Sequence, residues 1–171
     1  MTYLYVGLLS FQMEKILLTR AGYENLLQEL DLLSQVERPQ IVQELQEAAH
    51  GGRLEKNPDY QSALAQRQKV DRRIRHIQQI LANAEVLVGS NVNPTRVGFN
   101  CRVRVRNLGA GQEKEFKIVS AVEADAARGL ISKTAPLGRA LLGRGPGERV
   151  TVKTPGGFRT YQILTIEMEE L

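Results

Sequence analysis

Between Tyr60 and Ala84, residues fit for a buried seam return every three or four positions: Tyr60, Ala63, Val70, Ile74, Ile77, Leu81 and Ala84, with Arg67 occupying one slot of the series. The alternation averages about 3.5 residues, the period of a coiled-coil seam, and it predicts one long helix with a narrow apolar stripe. Such a stripe needs a second helix to cover it. The preceding segment supplies one. Thr19 is placed to cap its start, and Tyr23, Leu26, Leu30 and Leu33 follow at helical spacing, resuming later at Val42, Leu45 and Ala49. Pro39 lacks the backbone donor that a helix interior uses, so a kink or a first-turn position is expected there. Gly51-Gly52 then suits a left-handed cap and a tight turn. Two helices joined by a short glycine-rich tip predict an antiparallel hairpin. Arms of about 28 residues give a rod roughly 40 Å long.

At Gly89-Ser-Asn-Val-Asn-Pro-Thr95 the chain turns polar and gains a proline, which predicts a linker. Beyond it the period changes to two. Cys101 to Arg106 alternates apolar and basic residues, as a half-buried antiparallel strand does. Glu115–Val119 and Arg149–Lys153 look similar, and Pro155-Gly156-Gly157 turns into a last strand from Phe158 to Glu167. Pro136 opens a short helix through Leu142 that Gly143 closes. The expected class is α+β: a helical hairpin over residues 14–89, a linker at 90–96 and a small sheet domain with one packed helix over 97–171. Residues 1–13 are expected to be an extension, because the apolar stretch Met1–Gln12 has no Lys or Arg and is too short to span a bilayer.

Charge divides unevenly. Residues 1–89 carry 10 Lys/Arg and 11 Asp/Glu, a net of −1; residues 90–171 carry 13 and 8, a net of +5. The basic excess of the second half suits a polyanion or an acidic protein surface, and equally an ordinary solvated face. A lone Cys101 inside a strand predicts a reduced, buried thiol and a cytoplasmic protein. His50 and His76 have no neighbouring ligands at metal spacing, so no metal site is expected. The glycines at Gly109-Ala-Gly111 and Gly145-Pro-Gly147 lack a phosphate-loop context and predict hairpin turns. No nucleophile–base constellation is present, so the chain is expected to act as a binding regulator and not as an enzyme. Arg67, Lys69, Arg72, Arg73 and Arg75 form a basic run on the second helix. It fits a solvated face; Arg67 and Lys69 are also placed to face a nucleic-acid backbone.

Several ordered segments resemble the GreA/GreB family. They are the start Leu18-Thr-Arg-Ala-Gly-Tyr-Glu-Asn-Leu26 with Glu29-Leu30 and Arg38-Pro39, the tip Gly52-x-Leu54-x-x-Asn57-x-x-Tyr60, and the helix end Leu81-Ala-Asn-Ala-Glu-Val86. In the second half, Ala135-Pro-Leu-Gly-Arg-Ala-Leu-Leu-Gly143 and Val152-x-Thr154-Pro-Gly-Gly157 match in order. The resemblance covers residues 14–171. It implies an N-terminal coiled coil, an FKBP-like C-terminal domain, and RNA polymerase as partner within a transcription complex of nascent RNA and DNA. No membrane partner is implied, and a monomer is expected. It further implies that the C-terminal domain holds the rim of the polymerase secondary channel, with Pro136, Leu137, Gly138, Leu141, Leu142, Gly143, Pro155 and Gly156 as the contact signatures. The coiled coil would enter that channel, where two acidic tip residues of the family help hold a Mg²⁺ for transcript hydrolysis. The factor would hold no cofactor by itself and would act at the polymerase Mg²⁺ site.

At the tip this chain departs from the family pattern. Typical members have Gly-Asp-Leu-x-Glu-Asn-x-x-Tyr; here Arg53 stands in place of the Asp and Lys56 in place of the Glu. Glu55 and Asp59 are the acidic residues left beside them. Lost or weakened cleavage stimulation is therefore expected, with a cleavage factor using Glu55 and Asp59 as the alternative. Two further readings come from other classes. A prolyl isomerase would need aromatic residues that are few here, and a generic coiled-coil nucleic-acid binder would show salt-dependent DNA binding without polymerase.

Overall fold

Thr19 begins the hairpin as its position in the sequence predicts. Its hydroxyl accepts the Gly22 N–H at 3.0 Å, satisfying one of the donors that a helix start leaves free. The computed structural model describes residues 15–50, 54–87 and 94–168. Helix α1 runs Arg20–Leu32 and is followed directly by a π-helical turn, Leu33–Glu37, and then by α2, Arg38–Ala49. The π turn is the physical answer to Pro39. With Arg38 N–H bonded back to Leu33, five residues away, the widened turn relieves the crowding a proline ring imposes on the preceding turn. Pro39 thus follows the π turn inside a helical arm that runs without a break from Arg20 to Ala49, and its missing N–H leaves one backbone donor short there.

The return arm, α3, spans Pro58–Ala82 and is about 37 Å long at 1.5 Å per residue. Ala63, Val70, Ile77 and Ile80 are buried against Leu26, Leu33, Ile41 and Leu45 of the first arm, with Tyr60, Ile74 and Leu81 half-buried beside them. Past Ala82 the chain departs from the expected helix. Ala84 packs against the hairpin core as its spacing predicts, but not as part of the helix, and Leu81–Val86 is not a closing helix segment. The helix stops at Ala82, and strand β2, Ala84–Val86, pairs in parallel with β1, Ile16–Leu18. These two short strands tie the base of the hairpin together. Arg67, which interrupts the apolar series, lies in mid-arm and not beside the tip. Its guanidinium turns to Asp71 one helical turn away, at 3.6 Å, and Asp71 also takes Arg38 from the opposite arm at 2.8 Å.

The second unit is a five-stranded sheet in the order β5-β4-β3-β7-β6. Its strands are β3 (Cys101–Asn107), β4 (Glu113–Val119), β5 (Leu130–Ser132), β6 (Arg149–Thr154) and β7 (Gly157–Met168). Pairing is antiparallel except between β4 and β5. Helix α4, Pro136–Leu141, packs on one face, touching β5 at one edge and β6 at the other. Cys101, Val103, Val105, Ile118, Leu141 and Ile163 are fully buried between helix and sheet. Burial also pushes the Cys101 thiol above its ordinary pKa, which keeps it protonated and inert. The opposite face carries the alternate residues of β3: Arg102 meets Glu115 at 2.9 Å and Arg106 meets Glu113 at 2.6 Å. Part of the basic excess is thus neutralised by cross-strand pairs. The Gly109–Gly111 segment is a hairpin turn between β3 and β4, whereas Gly145-Pro-Gly147 connects α4 to β6 and is no hairpin. The expectations for Met1–Gln12, Gly51-Gly52 and the linker at 90–93 fall outside the described residues.

Candidate functional site at the tip and the sheet domain

The far end of the rod is organised by one residue. Asn57 caps α3, its side-chain oxygen accepting the N–H groups of Asp59 at 3.0 Å and Tyr60 at 3.4 Å. Its amide nitrogen donates to the Ala48 carbonyl of the opposite arm at 3.0 Å. Asn57 thereby fixes the start of one arm and ties it to the end of the other. A short 3-10 turn, Leu54–Lys56, precedes it, and Gln61 donates to the Leu54 carbonyl at 3.1 Å. Tyr60 packs into the hairpin core. Asn57 and Tyr60 are therefore built into the fold. Leu54, Lys56 and Asp59 have exposed side chains. Asp59 lies in the first turn of α3, where the helix dipole favours a carboxylate. Gly52, Arg53 and the side chain of Glu55 lie outside the description.

The donor set at this end does not suit a divalent cation. Mg²⁺ requires oxygen ligands, and two of the tip positions carry Arg53 and Lys56, which offer none. No step through a metal held by this chain follows. Lys69 is exposed on α3, and Arg73 binds Glu29 of the first arm in a two-pronged pair at 2.6 and 2.7 Å. That pair lowers the Glu29 pKa, chiefly through the hydrogen bond.

In the sheet domain the family-like signatures divide by burial. Leu141 is wholly buried and Gly138 is packed so closely that a Cβ there would overlap the Ser132 carbonyl. These two residues set the seating of α4 and offer no outer surface, so direct contact with a partner is not their role. Pro136 is exposed at the first position of α4, with Leu137 and Leu142 half-buried behind it. Gly143, at φ 76°, adopts the left-handed cap that glycine favours, and its carbonyl accepts from Arg96 at 2.7 Å. Pro155 and Gly156 are exposed in the turn between β6 and β7. Next to them Phe158 is 76% exposed, a residue the sequence patterns did not single out because it falls at the strand's start. The exposed candidates therefore sit on the tip, on the start of α4 and on the β6–β7 turn.

The family model described as "Transcription elongation factor, N-terminal" matches residues 16–86, and the one described as "Transcription elongation factor, GreA/GreB, C-term" matches residues 91–168. Transcription elongation factor GreA of Thermodesulfovibrio yellowstonii is 40% identical over 156 residues, covering 91% of this chain and 99% of that protein. GreA of Thermotoga neapolitana is 40% identical over 154 residues, covering 90% and 98%. Among solved structures, GreA factor homolog 1 of Thermus thermophilus is 26% identical, with coverage of 90% and 99% and a TM-score of 0.41.

Proposed function

Because the chain belongs to the GreA/GreB family of transcription elongation factors, we propose that it binds RNA polymerase through its sheet domain and places its coiled-coil tip in the secondary channel. There it regulates elongation while stimulating transcript cleavage weakly or not at all. The observation that carries the reading is the chemistry at the end of a rod of about 37 Å: Arg53 and Lys56 stand where the family pattern has its acidic pair, and Lys56 is exposed. A cation near the polymerase's active-site Mg²⁺ repels the metal and attracts phosphates or the carboxylates that ligate it. The tip would thus occupy the channel and compete with factors that carry the acidic pair. A protein that works by occupancy needs only a rigid rod and a docking surface. The tied arms supply the first, and Pro136, Pro155 and Gly156 are exposed candidates for the second.

One observation favours the alternative. Asp59 is exposed at the tip end, where a polymerase-bound metal would meet it, so a cleavage factor using Glu55 and Asp59 is the competing reading. Two assays decide. Pull-down with purified core polymerase at low salt tests docking; no association would sink the proposal. Cleavage of backtracked transcription complexes then separates the readings. Little shortening of the transcript by the native protein supports occupancy. Strong shortening that Asp59→Ala or Glu55→Ala abolishes supports the alternative.

A further inference from the structure

Among the described residues, the carboxylate of Glu123 joins the sheet domain to the hairpin. Glu123, in the turn after β4, reaches the start of α1, 104 residues away in sequence. One of its oxygens accepts the Thr19 hydroxyl hydrogen; the other accepts the Thr19 N–H at 3.2 Å and the Ser120 hydroxyl at 2.9 Å. The Thr19 hydroxyl also accepts from Gly22 N–H, so the helix cap and the junction share one group. Thr19 and Ser120 are 3% and 4% exposed, which shelters these bonds from water. Gly22 completes the arrangement, since a Cβ at that position would overlap the Glu123 carboxylate. A negative charge against the first turn of a 13-residue helix is favoured by its dipole. Around this contact the units stand apart across an open cleft of about 430 Å³, lined by Glu29 and Arg73 on one side and Arg102, Lys117 and Arg128 on the other.

We propose that Glu123 is a positioning residue that fixes the direction of the rod relative to the sheet domain. A rod hinged at its base magnifies any rotation there: over about 37 Å, a turn of about 15° displaces the tip by about 10 Å. Entry of the tip into a channel while the sheet domain grips the rim, which rests on the reading above, requires that this angle be set. Glu123 would set this angle in the free chain, without polymerase.

Spin labels at Ala65→Cys on α3 and Arg149→Cys on β6 report the angle as a distance distribution by double electron–electron resonance. Both sites are exposed, and the native Cys101 is fully buried and stays unlabelled. The unaltered junction should give one narrow peak. Glu123→Ala should broaden it about twofold or more. Gly22→Ala should do the same by displacing the carboxylate, while helix content holds because alanine is the better helix former. Glu123→Gln keeps an acceptor for Thr19 and should fall between, and Glu24→Ala, on the exposed side of α1, should leave the peak unchanged. A narrow, unshifted peak in either Glu123→Ala or Gly22→Ala, or a broad one with the junction intact, overturns the inference. Because polymerase is absent, that result is independent of whether the chain docks on it.

Discussion

The two ends of the hairpin are built to opposite rules. At the base, β1 and β2 pair, Thr19 caps α1, and Glu123 receives two of Thr19's donors together with the Ser120 hydroxyl. At the tip, Asn57 secures the backbone of both arms, while Leu54, Lys56 and Asp59 turn their side chains to solvent. The base invests its polar groups in fixing geometry; the tip leaves them free for something outside the chain. On the proposed reading, an anchored end held in place and a chemically exposed free end let the rod transmit position to its tip, as action inside a partner's channel would require.

Substitutions at the base and along the arms should therefore cost stability and those at the tip should not. The largest effect is expected at Ile77, fully buried near the base. Ile77→Ala should destabilise the hairpin by about 2–5 kcal/mol, read as a fall in the urea midpoint. An unmoved midpoint would show that the arms are not held by this seam. Asn57 marks the boundary between the two regimes, being at the tip yet structural. Asn57→Ala removes the α3 cap and the bond to Ala48, and should cost about 1–2 kcal/mol. A cost near zero would make the tip free in backbone as well as side chain.

A smaller effect, with a pH signature, belongs to Arg73 and Glu29 on the arms. Both side chains are more than a third exposed, so Arg73→Ala should cost under about 1 kcal/mol at neutral pH. The Arg73 hydrogen bond depresses the Glu29 pKa in the folded chain. Its stabilisation is thus present above the unfolded carboxylate pKa and is lost as pH falls through the depressed folded value. The difference between native and Arg73→Ala midpoints should shrink below about pH 4. A gap that persists into acid would assign the effect to packing of the arginine stem.

How much of this was legible in the sequence follows from the range of each signal. Thr19 shows through its capping chemistry, and the α3 stripe and strands β3, β4, β6 and β7 announce themselves through repeats longer than one period. β1, β2 and β5 have three residues each, too few for an alternation to register. Ala84 even continues the helical series by spacing, and only pairing with Ile16 across the hairpin makes it a strand. The π turn was visible only as the trouble Pro39 causes. The junction role of Glu123 left no local trace: Ser120 is three residues away, but Thr19 and Gly22, which make the contact an inter-unit one, are over a hundred residues distant. At the tip, composition spoke clearly because a charge reversal at Arg53 and Lys56 needs no geometry to be noticed. The division of labour there did not show, as Asn57 and Lys56 are neighbours in one motif but only Asn57 is held.

The smallest effect on stability is expected where the effect on function is greatest. Lys56 is exposed, so Lys56→Glu should shift stability by no more than about 0.5 kcal/mol. Combined with Arg53→Asp, it replaces two cations by two carboxylates at the positions where the family pattern has them. Mg²⁺ takes oxygen ligands, so on the proposed reading the change should convert a tip that repels the metal into one able to share it. The double variant should bind core polymerase as the native chain does, because neither residue lies in the sheet domain. It should also shorten backtracked transcripts more strongly than the native chain, and compete less as a mere occupant of the channel. Should the double variant leave cleavage unchanged while its binding is intact, the tip charges would not be what sets this factor's activity. The contrast would then rest on the base alone, where the angle of the rod would decide whether any tip chemistry reaches the active site.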